Sequence, residues 1–283
     1  MSLKVENLFY TYMKGTPFEK EALNNVSLEI GDGEFVGIIG HTGCGKSTLV
    51  QHFNGLLKPE EGRVFIDGEL MNKKSLKEMR KKVGMVFQYP EYQLFEETVY
   101  KDIAFGLKNE KLSKEEERER VLHAARITGL EEDLLEKSVF ELSGGQKRRA
   151  AIAGVVVMRP EILVLDEPAA GLDPEGRETI LDFARKICDE DGVSVVLVSH
   201  SMEDIARVAD RVIVMNDGTV EMEGTPEEIF SQSTRLEEIG LTAPQISKLF
   251  DKLSQEFPQI PRKVFTVEKA ADILEDILKG GAK

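Results

Sequence analysis

Cysteine is almost missing from the chain. Cys44 and Cys188 are the only two in 283 residues, too few for a disulfide framework, so a reducing intracellular compartment is expected. No window approaches the roughly 20 apolar residues needed to cross a bilayer. The opening MSLKVENLFYTY also lacks an apolar signal-peptide core, so membrane contact is expected to run through a partner. Positive charge is in deficit as well: 37 Lys and Arg against 51 Asp and Glu give a formal net charge of -14. Phosphate-rich partners repel such a surface, which argues against a general binder of nucleic acid or anionic lipid and confines any phosphate site to a local cluster. What is present is an ordinary globular composition, 41% hydrophobic and 31% charged, over a length that suits one large domain with a small appendix.

Apolar periodicity predicts strands over residues 3–8, 22–30, 34–39, 62–66 and 83–87, with a helix over 47–53 that follows a glycine-rich loop. From about 90 to 160, charged stretches such as LSKEEERERVLHAARITGL carry apolar residues at helical spacing and predict a helical insertion. Strand 162–165, helix 174–187, strand 193–198, a helix after His200 and strands near 211–215 and 219–223 then alternate as in a parallel α/β core. After Thr225 the pattern turns helical, punctuated by Pro244, Pro258 and Pro261, which predicts a core domain over 1–230 and a small helical domain over 231–283. The acidic stretches EKEA (19–22) and EEER (115–118) read as solvated helix faces.

Three motifs carry chemistry. The run Gly40-His41-Thr42-Gly43-Cys44-Gly45-Lys46-Ser47 fits G-x-x-x-x-G-K-[ST] between a strand and a helix. Its glycines let backbone N–H groups wrap a phosphate, Lys46 reaches the outer phosphates, Ser47 ligates Mg²⁺, and Thr48 completes the candidate nucleotide-binding set. Cys44 reads as a small residue that fits the loop, without a catalytic role. The run Ile162-Leu163-Val164-Leu165-Asp166-Glu167-Pro168 delivers two carboxylates at the end of a buried strand. They could cap a helix, but beside a phosphate loop Asp166 suits Mg²⁺ and Glu167 suits the attacking water. Finally, Leu142-Ser143-Gly144-Gly145-Gln146 opens a second helix. By itself it reads as a Ser N-cap with glycines, and one nucleotide does not need two such cradles.

With these motifs in one chain, the sequence resembles ATP-binding cassette (ABC) ATPases, in which the phosphate loop and the LSGGQ signature serve opposite ends of an ATP sandwich. The resemblance implies an ABC-type P-loop α/β core with an antiparallel β subdomain, a helical insertion and a small C-terminal domain. It further implies that Tyr12 stacks on adenine, with Tyr10 and Phe18 as competitors, and that Gln88 senses the γ-phosphate and Mg²⁺. By the same resemblance Asp173 lies at a dimer seam, His200 ends the switch strand, and Ser143, Gly144, Gly145 and Gln146 close the partner's site. Glu167, His200, Lys46 and Gln88 are then the candidate catalytic residues, and Ser47, Gln88 and Asp166 the candidate Mg²⁺ ligands. One departure is Ala169, where the family usually has Thr.

The run from Tyr89 to Gly106, with Gln93-Leu94-Phe95 inside it, and the C-terminal GLTAPQISKL resemble the energy-coupling factor (ECF) branch of transporter ATPases. HTG in the loop and SHSMED after the switch strand are similar to the second of that branch's paired ATPases. This resemblance implies an ATPase at the cytoplasmic face of a membrane, coupled to uptake of a vitamin or metal ion. Its partners would be a second ATPase, a membrane T component and a substrate-binding S component, with no nucleic acid. Leu94 and Phe95 would line a groove for the membrane partner, with Glu91 offering an acidic contact; alternatively the pair is core. The rival functions are another ABC importer, or a soluble ABC ATPase of translation or repair.

Overall fold

A computed structural model describes residues 2–258 and 260–280, so Gln259 and the tail 281–283 of the expected C-terminal domain lie outside the described residues. Strand β1 (Leu3–Tyr12) pairs antiparallel with β2 (Lys20–Ile30), which leads into β3 (Phe35–Ile39). The glycine-rich loop then delivers α1 (Lys46–Phe53). Strands β4 (Glu61–Ile66) and β5 (Glu69–Leu70) complete a four-stranded antiparallel sheet in the order β2-β1-β4-β5. EKEA belongs to this sheet, since Lys20 opens β2, and the helix-face reading of residues 19–22 is corrected accordingly. Four residues cannot distinguish a solvated strand end from a helix face when three in succession are charged.

After α2 (Leu76–Lys82) and β6 (Val83–Val86) the chain leaves the core. It makes a 3-10 turn at Pro90–Gln93 and then, with further 3-10 turns between them, α3 (Val99–Ala104), α4 (Lys114–Ile127) and α5 (Gly144–Val156). Ser113 and Glu116 form a reciprocal capping box on α4, and three glutamates in its first turn complement the helix dipole while EEER faces solvent.

The chain returns as β7 (Ile162–Asp166), α6 (Pro174–Asp191), β8 (Ser194–Val198), α7 (Met202–Val208), β9 (Arg211–Asn216) and β10 (Thr219–Gly224). The main sheet runs β10-β9-β3-β8-β7-β6. Five of its strands are parallel as expected; β10 is antiparallel, because Asp217 and Gly218, both at positive φ, close a tight hairpin that only antiparallel strands can share.

The central strands β3, β7 and β8 are buried along their whole length, and the side-chain alternation of each divides two cores. Phe35, Leu163, Leu165, Val195 and Leu197 face the helical insertion and α6, whereas Val36, Ile162, Val164, Val196 and Val198 face α1 and the antiparallel sheet. The carboxyl ends of β3, β6, β7 and β8 therefore open side by side, the place where parallel α/β sheets bind ligands.

Four helices follow: α8 (Pro226–Phe230), α9 (Ser233–Glu238), α10 (Gln245–Glu256) and α11 (Val267–Gly280). The main core continues past residue 230 through Leu236, Leu241 and Ala243, and Phe265 also packs into it. A separate small cluster of Phe250, Ile260, Val264 and Ala270, flanked by Ile246, Leu253 and Ile273, holds α10 and α11 together.

Candidate functional site

The loop leaving β3 is shaped by two glycines. Gly40 has φ 155°, and a Cβ there would sit 2.4 Å from the Met215 carbonyl oxygen and 2.5 Å from Cys44 Sγ. Gly45 has φ 105°, and its Cβ would sit 2.4 Å from the Ala22 carbonyl oxygen. Only glycine lets the loop press this close to β9 and β2. Cys44 is buried and its thiol is pushed up chiefly by burial, so it is a poor nucleophile, in keeping with a packing role.

Lys46 is 7% exposed, and its Nζ donates to the carbonyl oxygens of Gly40 at 2.7 Å and His41 at 3.0 Å. Carbonyl dipoles alone compensate this buried cation only in part, and a phosphate is the natural complement. His41 Nδ1 lies 3.0 Å from the Thr42 carbonyl oxygen, and His41 Nε2 lies 3.5 Å from Asp217.

Strand β7 ends in Asp166, and Glu167 follows at φ 51°, a conformation that costs a non-glycine residue roughly 1–3 kcal/mol and recurs at functional sites. Glu167 Oε2 accepts a 2.8 Å hydrogen bond from Gln88 Nε2, and its Oε1 lies 3.1 Å from His200 Nδ1. Three expected residues from three strand ends thus meet on one carboxylate.

Asp166 is 6% exposed; its Oδ1 has no hydrogen-bond partner, while the Ser47 hydroxyl bonds its carboxylate. Burial raises its pKa above the ordinary carboxylate value, opposed by the Ser47 bond and by the Lys46 charge. An orphaned buried carboxylate oxygen beside a hydroxyl is a hard-oxygen donor set that fits Mg²⁺, with the Gln88 amide oxygen as a third candidate ligand.

Lys46, Ser47, Gln88, Glu167 and His200 line one cleft of ≈ 700 Å³, together with Tyr12, Gly40, His41, Thr42, Gly43, Gly45 and Thr48, whereas the buried Asp166 and Cys44 are not part of its lining. Tyr12 is 37% exposed, and its hydroxyl lies 3.2 Å from Thr48 Oγ1. Tyr10 instead stacks edge-on against the His52 ring, and Phe18 is not part of the lining, so of the three aromatic candidates Tyr12 is the one at the cleft. Lys20, Met202 and the segment Gly240-Leu241-Thr242 also line it; Met202 lies in SHSMED and the segment opens GLTAPQISKL, yet neither Met202 nor this segment was expected at the nucleotide cleft. The last of these comes from the C-terminal arm and is held near the switch loop by the 3.1 Å bond from the Gln245 backbone N–H to Glu203.

Ser143, Gly144, Gly145 and Gln146 are not brought to this cleft. Ser143 caps α5 in a capping box with Gln146, each side chain bonding the other's backbone N–H, so the N-cap reading describes its local role. Asp173 likewise caps α6, accepting from the Gly176 N–H at 2.8 Å.

Glu91 is corrected by the structure. It is not available as an acidic contact, because both its oxygens accept from the buried guanidinium of Arg148, at 2.9 and 2.5 Å. The expected apolar pair is split: Leu94 packs against the main core, whereas Phe95 is 59% exposed and stacks edge-on against Phe105. Arg148 was invisible in the sequence, where it is one of three consecutive cations in a helix and nothing marks it as the buried one.

Residues 23–170 match the sequence profile of the ABC transporter family. The chain is 57% identical over 279 residues, 99% of each protein, to the energy-coupling factor transporter ATP-binding protein EcfA2 of Acetivibrio thermocellus. It is 55% identical over 282 residues, again 99% of each, to the protein of that name from Caldanaerobacter subterraneus. Among solved structures, cbiO1 of Clostridium perfringens, part of the ABC transporter complex cbiONQ, superposes with a TM-score of 0.76 at 41% identity, covering 88% of this chain and 98% of its own. The ATP-binding cassette MJ0796, dimeric in a post-hydrolysis state with ADP and Pi, gives a TM-score of 0.71 at 34% identity, covering 79% and 98%.

Proposed function

The chain belongs to the ABC transporter family, and from that premise we propose that it is the ATP-hydrolysing subunit of an energy-coupling factor importer, pairing with a second ATPase and driving membrane partners. The observation that carries the reading is the convergence of Gln88, His200 and Glu167 beside the Lys46–Ser47 loop, with the signature helix directed elsewhere. A chain that holds one half of the site and lacks the other half in the same cleft works as a sandwich, each signature completing the nucleotide site of the other subunit.

In the reaction, ATP and water give ADP and phosphate. Lys46 and the N–H groups of Gly43 to Ser47 hold the phosphates, and Tyr12 packs on the base. Ser47, Asp166 and Gln88 would hold Mg²⁺, which when bound would neutralise charge on the phosphate oxygens. Glu167 accepts the proton from the attacking water, and His200 stabilises charge on the transferring group. Ser143, Gly144, Gly145 and Gln146 approach the γ-phosphate of the partner-held ATP through the N-terminus of α5.

The ECF reading extends to the membrane. We place the chain as a peripheral subunit on the cytoplasmic face, with Phe95 and the neighbouring Phe105 offering apolar surface to a T component and the cargo, a vitamin or metal ion, bound by an S component. Residues 231–283 are proposed as a pairing unit, supported by the exposed apolar side chains of Leu249, Val267 and Leu278 on α10 and α11. Affinity purification of the tagged chain from membranes, with identification of the co-purifying subunits, tests the assignment. Recovery of a second ATPase and integral membrane subunits is expected; a ribosomal or DNA-repair complex would overturn it.

A further inference from the structure

Arg148 lies in the second turn of α5, the helix that begins with the signature residues, and its side chain is only 2% exposed. All three nitrogens of its guanidinium are hydrogen-bonded, tying its own helix to two other segments. Nε and Nη2 grip Glu91 in a bidentate pair, while Nη1 donates to the carbonyl oxygens of Pro168 at 3.0 Å and Ala170 at 2.6 Å. The ring of Tyr89 stands 5.7 Å from its central carbon. Glu91 lies three residues after Gln88, and Pro168 directly follows Glu167. Gln88 and Glu167 are themselves bonded, so the two segments are joined twice, once at the reacting end and once through Arg148.

This arrangement has a direction. The N-terminus of α5 serves the ATP held by the other subunit, whereas the carbonyls that Arg148 grips belong to the segment carrying this subunit's own Glu167. A rigid, planar, permanently charged side chain with four hydrogen bonds transmits displacement between them better than a flexible apolar contact would. We propose that Arg148, locked by Glu91, is a positioning residue that links the two ATP sites of the sandwich: capture of ATP by the signature end of α5 sets Glu167 in the subunit's own site. The proposal rests on the sandwich reading given above. It also gives Glu91 a role inside the subunit, next to the surface proposed for the membrane partner.

The test uses the full chain assembled with its partner ATPase, and ATP as the ligand. Glu91→Gln keeps the side chain's shape and one acceptor but removes the charge that orients Arg148. Expected are a fall in kcat of about tenfold or more and a flattening of the sigmoidal dependence on ATP toward a hyperbola. ATP affinity of the unpaired chain should stay within about twofold, because no residue of the phosphate loop is touched.

A second variant, Glu91→Leu with Arg148→Met, separates positioning from folding. Replacing a buried ion pair by apolar residues of similar size is often neutral for stability, so its thermal melt should stay near wild type while the rate and the sigmoid remain lost. Three results would overturn the proposal: wild-type rate and cooperativity in Glu91→Gln, recovery of both in the apolar double variant, or a hyperbolic wild-type curve. Failure of the sandwich reading itself would look different, since Glu167→Gln would then give no ATP-loaded pair.

Discussion

The amide of Gln88 donates a 2.8 Å hydrogen bond to the Glu167 carboxylate across 79 residues of sequence, while His200 faces that carboxylate's other oxygen at 3.1 Å. The carboxylate proposed to polarise water is thus held between the residue proposed to sense the γ-phosphate, Gln88, and the one proposed to steady the transition state, His200.

Glu167→Gln preserves the size and hydrogen-bonding reach of this side chain and removes its basicity. ATP binding should persist and hydrolysis should fall by about 10²–10⁴-fold, leaving an ATP-loaded pair detectable by size-exclusion chromatography. Loss of ATP binding would contradict the division of roles.

Lys46→Ala removes the buried cation that two loop carbonyls hold ready for the outer phosphates. A fall in kcat/KM of roughly 10²–10³-fold is expected, with much weaker binding of a fluorescent ATP analogue. Turnover at the wild-type rate in the purified complex would remove Lys46 from the site.

Asp166 carries a pH signature. Its folded pKa is raised, mainly by burial, so its contribution to stability is fully present below the unfolded carboxylate pKa and is lost as pH rises through the raised folded value. Above the raised folded value, burial of the ionised side chain is therefore a liability to the nucleotide-free protein. Asp166→Asn should raise the nucleotide-free melting temperature at neutral pH, with the gain shrinking as pH falls from the raised folded pKa toward and below the unfolded carboxylate value. Added Mg·ATP should stabilise wild type more than the variant, which keeps the phosphate loop but loses one proposed Mg²⁺ ligand. A variant that melts lower than wild type at neutral pH would contradict the burial argument.

Phe95→Ser tests the proposed docking surface without disturbing the core, because Leu94 and not Phe95 packs inward. Losing the edge-on contact with Phe105 should cost the isolated chain no more than about 1 kcal/mol. Assembly with the membrane partner should weaken by about 2 kcal/mol, if Phe95 is an anchor of the contact. ATP affinity should not change. Intact assembly and transport would exclude Phe95 from the interface.

Much of this site was legible in the sequence because its residues end or follow immediately on apolar strands: the loop after β3, Gln88 after β6, Asp166 at the end of β7 with Glu167 next, His200 after β8. Parallel strands align their carboxyl ends, so local motifs became neighbours in space without any long-range information. The less legible contacts were those made by side chains reaching sideways. Glu91 and Arg148 are 57 residues apart, and only the packing of α5 against the turn at Pro90–Gln93 decides which of three adjacent cations turns inward. Likewise Thr242 reaches the nucleotide cleft because Leu241 and Ala243 on either side of it are buried in the main core, an anchoring that helical periodicity after Thr225 did not reveal. The strand identity of residues 20–22 depended on pairing with β1, again a partner distant in sequence.

The capping box at Ser143 has a consequence for how the protein must behave when diluted. The Ser143 and Gln146 N–H groups are satisfied locally and the signature residues stand apart from the Lys46 cleft, so under the proposed sandwich a lone subunit should fold with its site half built and turnover should require an encounter. Specific activity should then rise with subunit concentration, as mass action demands of a catalyst made of two halves. A subunit synthesised in excess of its partners would bind ATP yet hydrolyse little of it, so the fuel cost of transport is governed by assembly before any cargo is present.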